Sequence, residues 1–132
     1  MDPSENNERR VILVADDDSQ VRRIMDRMLG QAGFEVLLAA DDEQAVALFQ
    51  AECARIDVVV LDIGLEKEGG AATFERMCGI SSAFGVLMTS GDAPSEALRE
   101  RLEEVGGAFL PKPFRAAMLH EAIAGLLDRN PS

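Results

Sequence analysis

Runs of uninterrupted apolar residues alternate along the chain with segments whose apolar positions recur every three or four residues. Val11-Ile12-Leu13-Val14-Ala15 is the first such run. Behind it Val21, Ile24, Met25, Met28, Leu29 and Ala32 share one side of a helix, with Asp18 or Ser19 as its N-cap and Gly33 as its stop. The pairing then repeats. Phe34–Leu38 reads as a strand and Asp42–Cys53 as a helix with Ala45, Val46, Leu48 and Phe49 inward. Asp57–Leu61 is the next strand, followed by a loop through Gly69-Gly70 and a helix over Ala71–Cys78. Phe84–Met88 pairs with a helix over Ala93–Glu104, its pattern carried by Leu98, Leu102 and Val105. Ala108–Leu110 pairs with a helix over Ala116–Leu127, whose apolar face is Met118, Leu119, Ala122, Ile123, Leu126 and Leu127. Strands that are apolar throughout are buried on both faces. The pattern therefore predicts an α/β fold, a doubly wound, five-stranded parallel sheet with five alternating helices on both faces.

A length of 132 residues is enough for one domain and too short for two. No repeat, linker or low-complexity run divides it. The folded unit is expected over residues 11–128, with disordered tails at 1–10 and 129–132. There is no Trp or Tyr, so the core is expected to be mainly aliphatic. The net charge of −11, from 24 acidic and 13 basic residues, argues against unaided binding to nucleic acid or an anionic membrane. The first ten residues contain no apolar signal region and no stretch is long enough to span a membrane, so a cytoplasmic protein is expected. Cys53 and Cys78 lack metal-type spacing and read as reduced structural thiols. His120, the only histidine, reads as a surface residue of the last helix.

In an open parallel sheet, ligands sit beyond the carboxyl ends of the strands, near the point where strand order reverses. Asp16 and Asp17 end the first strand and Asp62 the third. Thr89 and Ser90 end the fourth, and Lys112 follows the fifth within Phe109–Phe114. Each residue alone has an ordinary explanation as a helix cap or a surface charge. Their joint occurrence at four strand ends points to one site. Clustered carboxylates suggest a divalent cation, and a fixed lysine beside them suits a carboxylate that becomes phosphorylated. An acyl phosphate adds negative charge that Mg²⁺, a lysine and backbone donors must offset. Three close carboxylates without a cation would raise one another's pKa.

With these residues in place, the chain from about Val11 to Leu127 resembles the receiver domain of two-component response regulators. The resemblance is carried by Asp16-Asp17, by Val-Val-Leu ending on Asp62, by Gly70 eight residues later, by Ser90-Gly91, and by Lys112-Pro113-Phe114. It implies a flavodoxin-like fold and a single-domain type of receiver. Asp62 is implied as the phosphoacceptor and Asp17 as a direct Mg²⁺ ligand. Asp16 would act in the metal site mainly through water, and the Gly64 carbonyl would be a further ligand. Lys112 would pair with the phosphoryl group, and a cis Lys112–Pro113 bond would aim its ammonium into the site. Ser90, rather than Thr89, fits the switch hydroxyl, and Phe109 fits the switch aromatic. Asp18 is expected to cap the first helix.

The resemblance also implies partners. A histidine kinase or a histidine phosphotransfer protein would supply the phosphoryl group, and a downstream protein effector would read the change on the face of the fourth helix, fifth strand and fifth helix. The chain would be a monomer or a phosphorylation-dependent dimer, without nucleic acid or membrane contact and without an output domain of its own. Arg22, Arg23 and Arg27 on the first helix are expected to meet the phosphotransfer partner. Glu66 stands where the family usually has proline, so the loop after Asp62 is expected to be more mobile. Phe109 lacks the hydroxyl of the commoner tyrosine, so an inward flip would be driven by packing. Gly64 and Asp92 should flank the mouth of the site and leave a path for water. A small Mg²⁺-dependent phosphohydrolase with an aspartyl nucleophile is the alternative, but no segment is long enough to cap a substrate pocket. A nucleotide or flavin carrier is weaker still, because the first strand-to-helix turn is rich in Asp and would repel phosphate.

Overall fold

A computed structural model of the chain describes residues 10–129. Most of the expected tails at 1–10 and 129–132 lie outside those residues. Arg10 is part of the fold: its carbonyl accepts from the Glu35 amide at 3.0 Å.

The strands are β1 (Val11–Ala15), β2 (Glu35–Ala39), β3 (Ile56–Asp62), β4 (Gly85–Ser90) and β5 (Ala108–Pro111). The helices are α1 (Ser19–Gln31), α2 (Asp42–Glu52), α3 (Gly70–Cys78), α4 (Glu96–Val105) and α5 (Ala116–Arg129). All strand pairs are parallel, in the order β2-β1-β3-β4-β5. This is the doubly wound, flavodoxin-like arrangement expected from the apolar pattern. Right-handed crossovers explain which helix covers which face. The chain steps outward from β1 to β2, then reverses and moves steadily from β3 to β5. α2, α3 and α4 consequently share one face, and α1 and α5 the other.

Side chains in a strand alternate between faces, so each strand feeds both cores. Leu13, Val59, Leu61, Val86 and Met88 pack with Phe49, Phe74, Met77, Leu98 and Leu102 on the first face. Ile12, Val14, Val58, Val60 and Leu87 pack with Met25, Leu29, Leu119, Ile123 and Leu126 on the second. Phe84 joins the aromatic part of the first core, edge-on to Phe49 at 4.8 Å and to Phe74 at 5.9 Å between ring centres.

Local chemistry sets the ends of the elements. Asp18 caps α1, its side chain accepting from the Gln20 and Val21 amides at 2.9 and 3.4 Å. α4 starts at Glu96 rather than Ala93, because Pro94 disfavours helical backbone at the residue before it and the Ser95 hydroxyl accepts from the Leu98 amide at 3.1 Å. At the other end of the sheet, the β1–β3 register shifts between Val11 and Ile12, and the Asp57 side chain accepts from the Val11 amide at 2.8 Å.

Three apolar residues assigned inward face outward. Ile24 of α1, Met118 of α5 and Val105 of α4 are 51%, 43% and 40% exposed. A helix packed on a sheet buries a stripe narrower than its full apolar periodicity, and these positions fall at its margins. His120 is half-buried rather than on the surface, its Nε2 lying 3.0 Å from the Met28 carbonyl. Cys53 and Cys78 are unpaired thiols, as expected.

Candidate functional site

The reversal of strand order falls between β1 and β3, and the carboxyl ends of β1, β3, β4 and β5 form one rim there. β1 and β3 are the central strands. Their apolar runs bury the backbone and deliver Asp16 and Asp62 to the rim with little exposure, 1% and 8%. Asp17 is exposed beside them. One carboxylate oxygen from each of Asp16, Asp17 and Asp62 can be chosen so that all lie within 4.8 Å of one another. Carboxylate oxygens are the donors that hard divalent cations take, so this acidic pocket could hold a metal ion.

Lys112 closes the site from the β5 side. Its Nζ donates to Asp16 Oδ2 at 2.8 Å and lies 3.5 Å from Asp62 Oδ2. Its backbone amide donates to the Ser90 carbonyl at 2.8 Å, and the Lys112–Pro113 peptide is cis. Asp16 spends its other oxygen, Oδ1, on the Asp18 amide at 2.9 Å. Asp62 Oδ1 accepts from the Gly64 amide at 3.1 Å. Burial pushes the Asp62 carboxyl above the usual range; the Gly64 bond and Lys112 oppose this, while Asp16 and Asp17 add to it. For Lys112 burial acts downward, but the hydrogen bond and charge of Asp16, with the charge of Asp62, raise it above the ordinary value.

Ser90 and Thr89 differ clearly. Ser90 is partly exposed at the rim, and its Oγ accepts from the Asp92 amide at 3.0 Å. That leaves the hydroxyl hydrogen free to donate elsewhere. Thr89 is fully buried and its Oγ1 has no hydrogen-bond partner. Phe109 sits half-buried on β5, paired in register with Met88. Gly64 is exposed, and a Cβ built on it would stand 3.7 Å from Asp62 Oδ1. Gly70 is needed for a different reason: a Cβ there would collide with the Asp62 carbonyl oxygen.

The three arginines of α1 do not act together. Arg22 turns inward, donating to the Asp16 carbonyl at 2.7 Å, so it supports the site from behind instead of facing a partner. Arg23 and Arg27 are exposed and line a concavity of about 480 Å³ with Gln20, Ile24, Met28 and Gln31. A second hollow of about 390 Å³ lies between α1 and the β5–α5 loop, lined by Val21, Ile24, Met25, Lys112, Pro113 and Phe114.

The sequence profile of the family described as "Response regulator receiver domain" matches residues 12–124. The chain belongs to that family. Among curated proteins it is 33% identical over 122 residues to the "Probable transcriptional regulator ycf27" of Cyanophora paradoxa, a match covering 92% of this chain and 49% of that protein. It thus spans about half the length of the curated relatives it matches. Among solved structures, a response regulator receiver domain protein from Clostridium thermocellum superposes with a TM-score of 0.84 at 28% identity, covering 91% of this chain and 95% of that one. CheY in a "CheX-CheY-BeF3-Mg+2 complex" from Borrelia burgdorferi gives a TM-score of 0.81 at 25% identity over 89% of each chain. The chain is therefore a receiver domain of the response-regulator type. Among the described residues, no helix is long and apolar enough to cross a membrane.

The raised Asp62 carboxyl makes a prediction about stability. A group whose folded pKa is raised stabilises the fold fully below its unfolded value and loses that contribution as pH rises through the folded value. Ionised Asp62 therefore costs stability at neutral pH. Replacing it by Asn in metal-free buffer should raise the unfolding midpoint at pH 7 by roughly 3 °C. The gain should vanish below the ordinary carboxyl value of 3.8. Thermal melts across that range check it, and an equal gain at both ends would mean the charge is not responsible.

Proposed function

We propose that the chain is a phosphorylation-driven switch in which Asp62 accepts a phosphoryl group from a histidine kinase or histidine phosphotransfer protein. The observation that carries this reading is the span of Lys112 between Asp16 and Asp62, beside three carboxylates that can share a cation. An Asp62 oxygen attacks phosphorus, an O–P bond forms, and the P–N bond to the donor imidazole breaks. Lys112 pairs with the new phosphoryl oxygens, and the free Ser90 hydroxyl hydrogen can donate to one of them. Asp17, Asp62 and the Gly64 carbonyl would hold Mg²⁺, with Asp16 acting mainly through water. When bound, the ion would offset the charge of the transferring group. The Borrelia relative, solved with BeF3 and Mg+2, supports this choice of ion.

Ser90 and Phe109 then relay the change to α4, β5 and α5, where a protein effector binds. The protein catalyses only its own phosphorylation and dephosphorylation. A cytoplasmic location and protein partners suit the charge of −11, and the described residues contain no insert that could cap a hydrolase pocket.

Three experiments test this reading. Asp62→Asn should abolish labelling by acetyl phosphate with Mg²⁺ while the far-UV spectrum stays native; undiminished labelling would place the acceptor elsewhere. Gly64→Met should lengthen the life of the acyl phosphate, because a side chain there lies against the acceptor carboxylate, close enough to obstruct water. Phosphate release from purified phosphoprotein reads the lifetime, expected to be minutes in the wild type, and an unchanged decay would show that access does not set the rate. Arg23→Glu should slow transfer from a phosphohistidine donor yet spare labelling by acetyl phosphate, since Arg23 flanks the α1 concavity and makes no contact with the carboxylates; equal losses would remove α1 from docking.

A further inference from the structure

The segment after Asp62 runs out through residues 63–69 and returns to where it began. Its near side is well held. The Ile63 amide donates to the Thr89 carbonyl at 2.9 Å, the Gly70 amide to the Ile63 carbonyl at 3.0 Å, and Leu65 is buried. The far side is not. Glu66, Lys67 and Glu68 are exposed, and Lys67 has a φ of +74°, a conformation that a residue with a Cβ adopts only at a cost.

A part-buried backbone contact ties this far side to α2. The Glu68 amide donates to Asp42 Oδ2, at the start of α2, over 2.6 Å. Lys67 also pairs with Glu43 of α2 at 3.3 Å, with the partners 54% and 71% exposed, and the Glu68 side chain pairs with the equally exposed Arg76 of α3 at 3.0 Å. Pairs so exposed contribute little. Asp42 is fully buried, and its other oxygen, Oδ1, has no hydrogen-bond partner. An orphaned oxygen on a buried carboxylate opposes folding, only partly relieved by the positive end of the α2 dipole. Such a group is poorly suited to stability alone. Its distinctive effect is to fix Glu68.

We propose that Asp42 is a positioning residue for the acceptor site, its buried carboxylate pinning the loop that carries the Gly64 amide and carbonyl. The role rests on the reading of Asp62 as acceptor and of Gly64 as a carbonyl ligand. Both ends of the loop are anchored at Ile63 and Gly70, so slack released at Glu68 is taken up between Gly64 and Gly69. Within that span Gly64 is the residue bonded to the acceptor's carboxylate, its amide donating to Asp62 Oδ1 at 3.1 Å, while the Leu65 amide donates to the Asp62 carbonyl at 3.3 Å.

The test uses the full chain as wild type, Asp42→Ala, Asp42→Asn and Asp42→Ser. Asn keeps an oxygen that can accept from Glu68, whereas Ala has none and the Ser hydroxyl is one bond shorter. Amide exchange at Glu68 and Gly64, the Mg²⁺ titration of the unfolding midpoint, and the rate of acetyl phosphate labelling are read on each. Asp42→Ala should speed exchange at both amides, weaken Mg²⁺ by roughly tenfold as loss of a ligand-orienting partner does, and slow labelling. Asp42→Asn should restore most of each. If Asp42→Ala does not fold, Asp42→Ser carries the same expectation. Wild-type Mg²⁺ affinity and labelling in a folded truncation, with Glu68 exchange alone accelerated, would overturn the positioning role and leave the acceptor assignment standing. A wild type that takes no label at Asp62 would overturn both.

Discussion

Three carboxylates meet at the rim of this sheet, and one ammonium is placed to keep them there. Lys112 lies beyond β5 while Asp16 ends β1, three strand spacings away, or roughly 14 Å between strand axes. The gap is closed from both sides. The bond from the Lys112 amide to Ser90 holds the β5–α5 loop against the rim, and the lysine then reaches over the end of β4 to Asp16. Strand order decides this arrangement. With β3 between β1 and β4, the lysine meets Asp62 on its way to Asp16 and is shared between them. Water cannot easily take its place, because Asp16 is almost wholly buried and already commits its other oxygen to the Asp18 amide.

The unequal treatment of the two buried aspartates follows. Asp16 has a close lysine and a backbone donor, one for each oxygen. Asp62 has the more distant half of the lysine and the Gly64 amide, and burial is the largest influence on it. Asp62 is thus the carboxylate whose charge is less fully offset. A group left in that state responds most strongly to anything that adds positive charge or hydrogen-bond donors at the rim. The backbone that surrounds it is fixed accordingly: Gly70 allows the returning loop to lie directly against the Asp62 carbonyl, and Asp42 holds the loop from outside.

Most of the fold could be read from the amino acids because the central strands are apolar without interruption and the helices are not. The residues that the fold gathers at the rim were legible for the same reason: Asp16, Asp62, Ser90 and Lys112 stand where an apolar run stops, and topology alone brings such positions together. What was missed depends on groups that carry no residue identity. Asp42 looks like any acidic residue in the first turn of a helix, since its partner is a backbone amide 26 positions away. Arg22 reads as one of three basic residues on a polar helix face, but its acceptor is the Asp16 carbonyl. Ile24, Met118 and Val105 fit the helical period yet lie outside the buried stripe, whose width depends on how closely each helix approaches the sheet.

The link from the rim to the distant face is short in covalent terms. Ser90 accepts from the Asp92 amide through its hydroxyl and from the Lys112 amide through its carbonyl, so it joins the β4–α4 and β5–α5 loops at once. A hydroxyl that turned toward the carboxylates would give up the first bond and keep the second. The β4–α4 loop would be released while the lysine stayed in place. Beyond that loop α4 has its own tether, because Arg101 lies 5.6 Å over the Phe74 ring and forms a two-point bond to Glu75 at 2.7 and 3.0 Å. α4 is therefore held to α3 by a partly exposed contact at its middle and to the sheet by the buried Leu98 and Leu102, while the loop that leads to it is held at the rim by Ser90. Of these attachments the Ser90–Asp92 bond is the one at the rim, and the buried Leu98 and Leu102 lie between it and the exposed Val105.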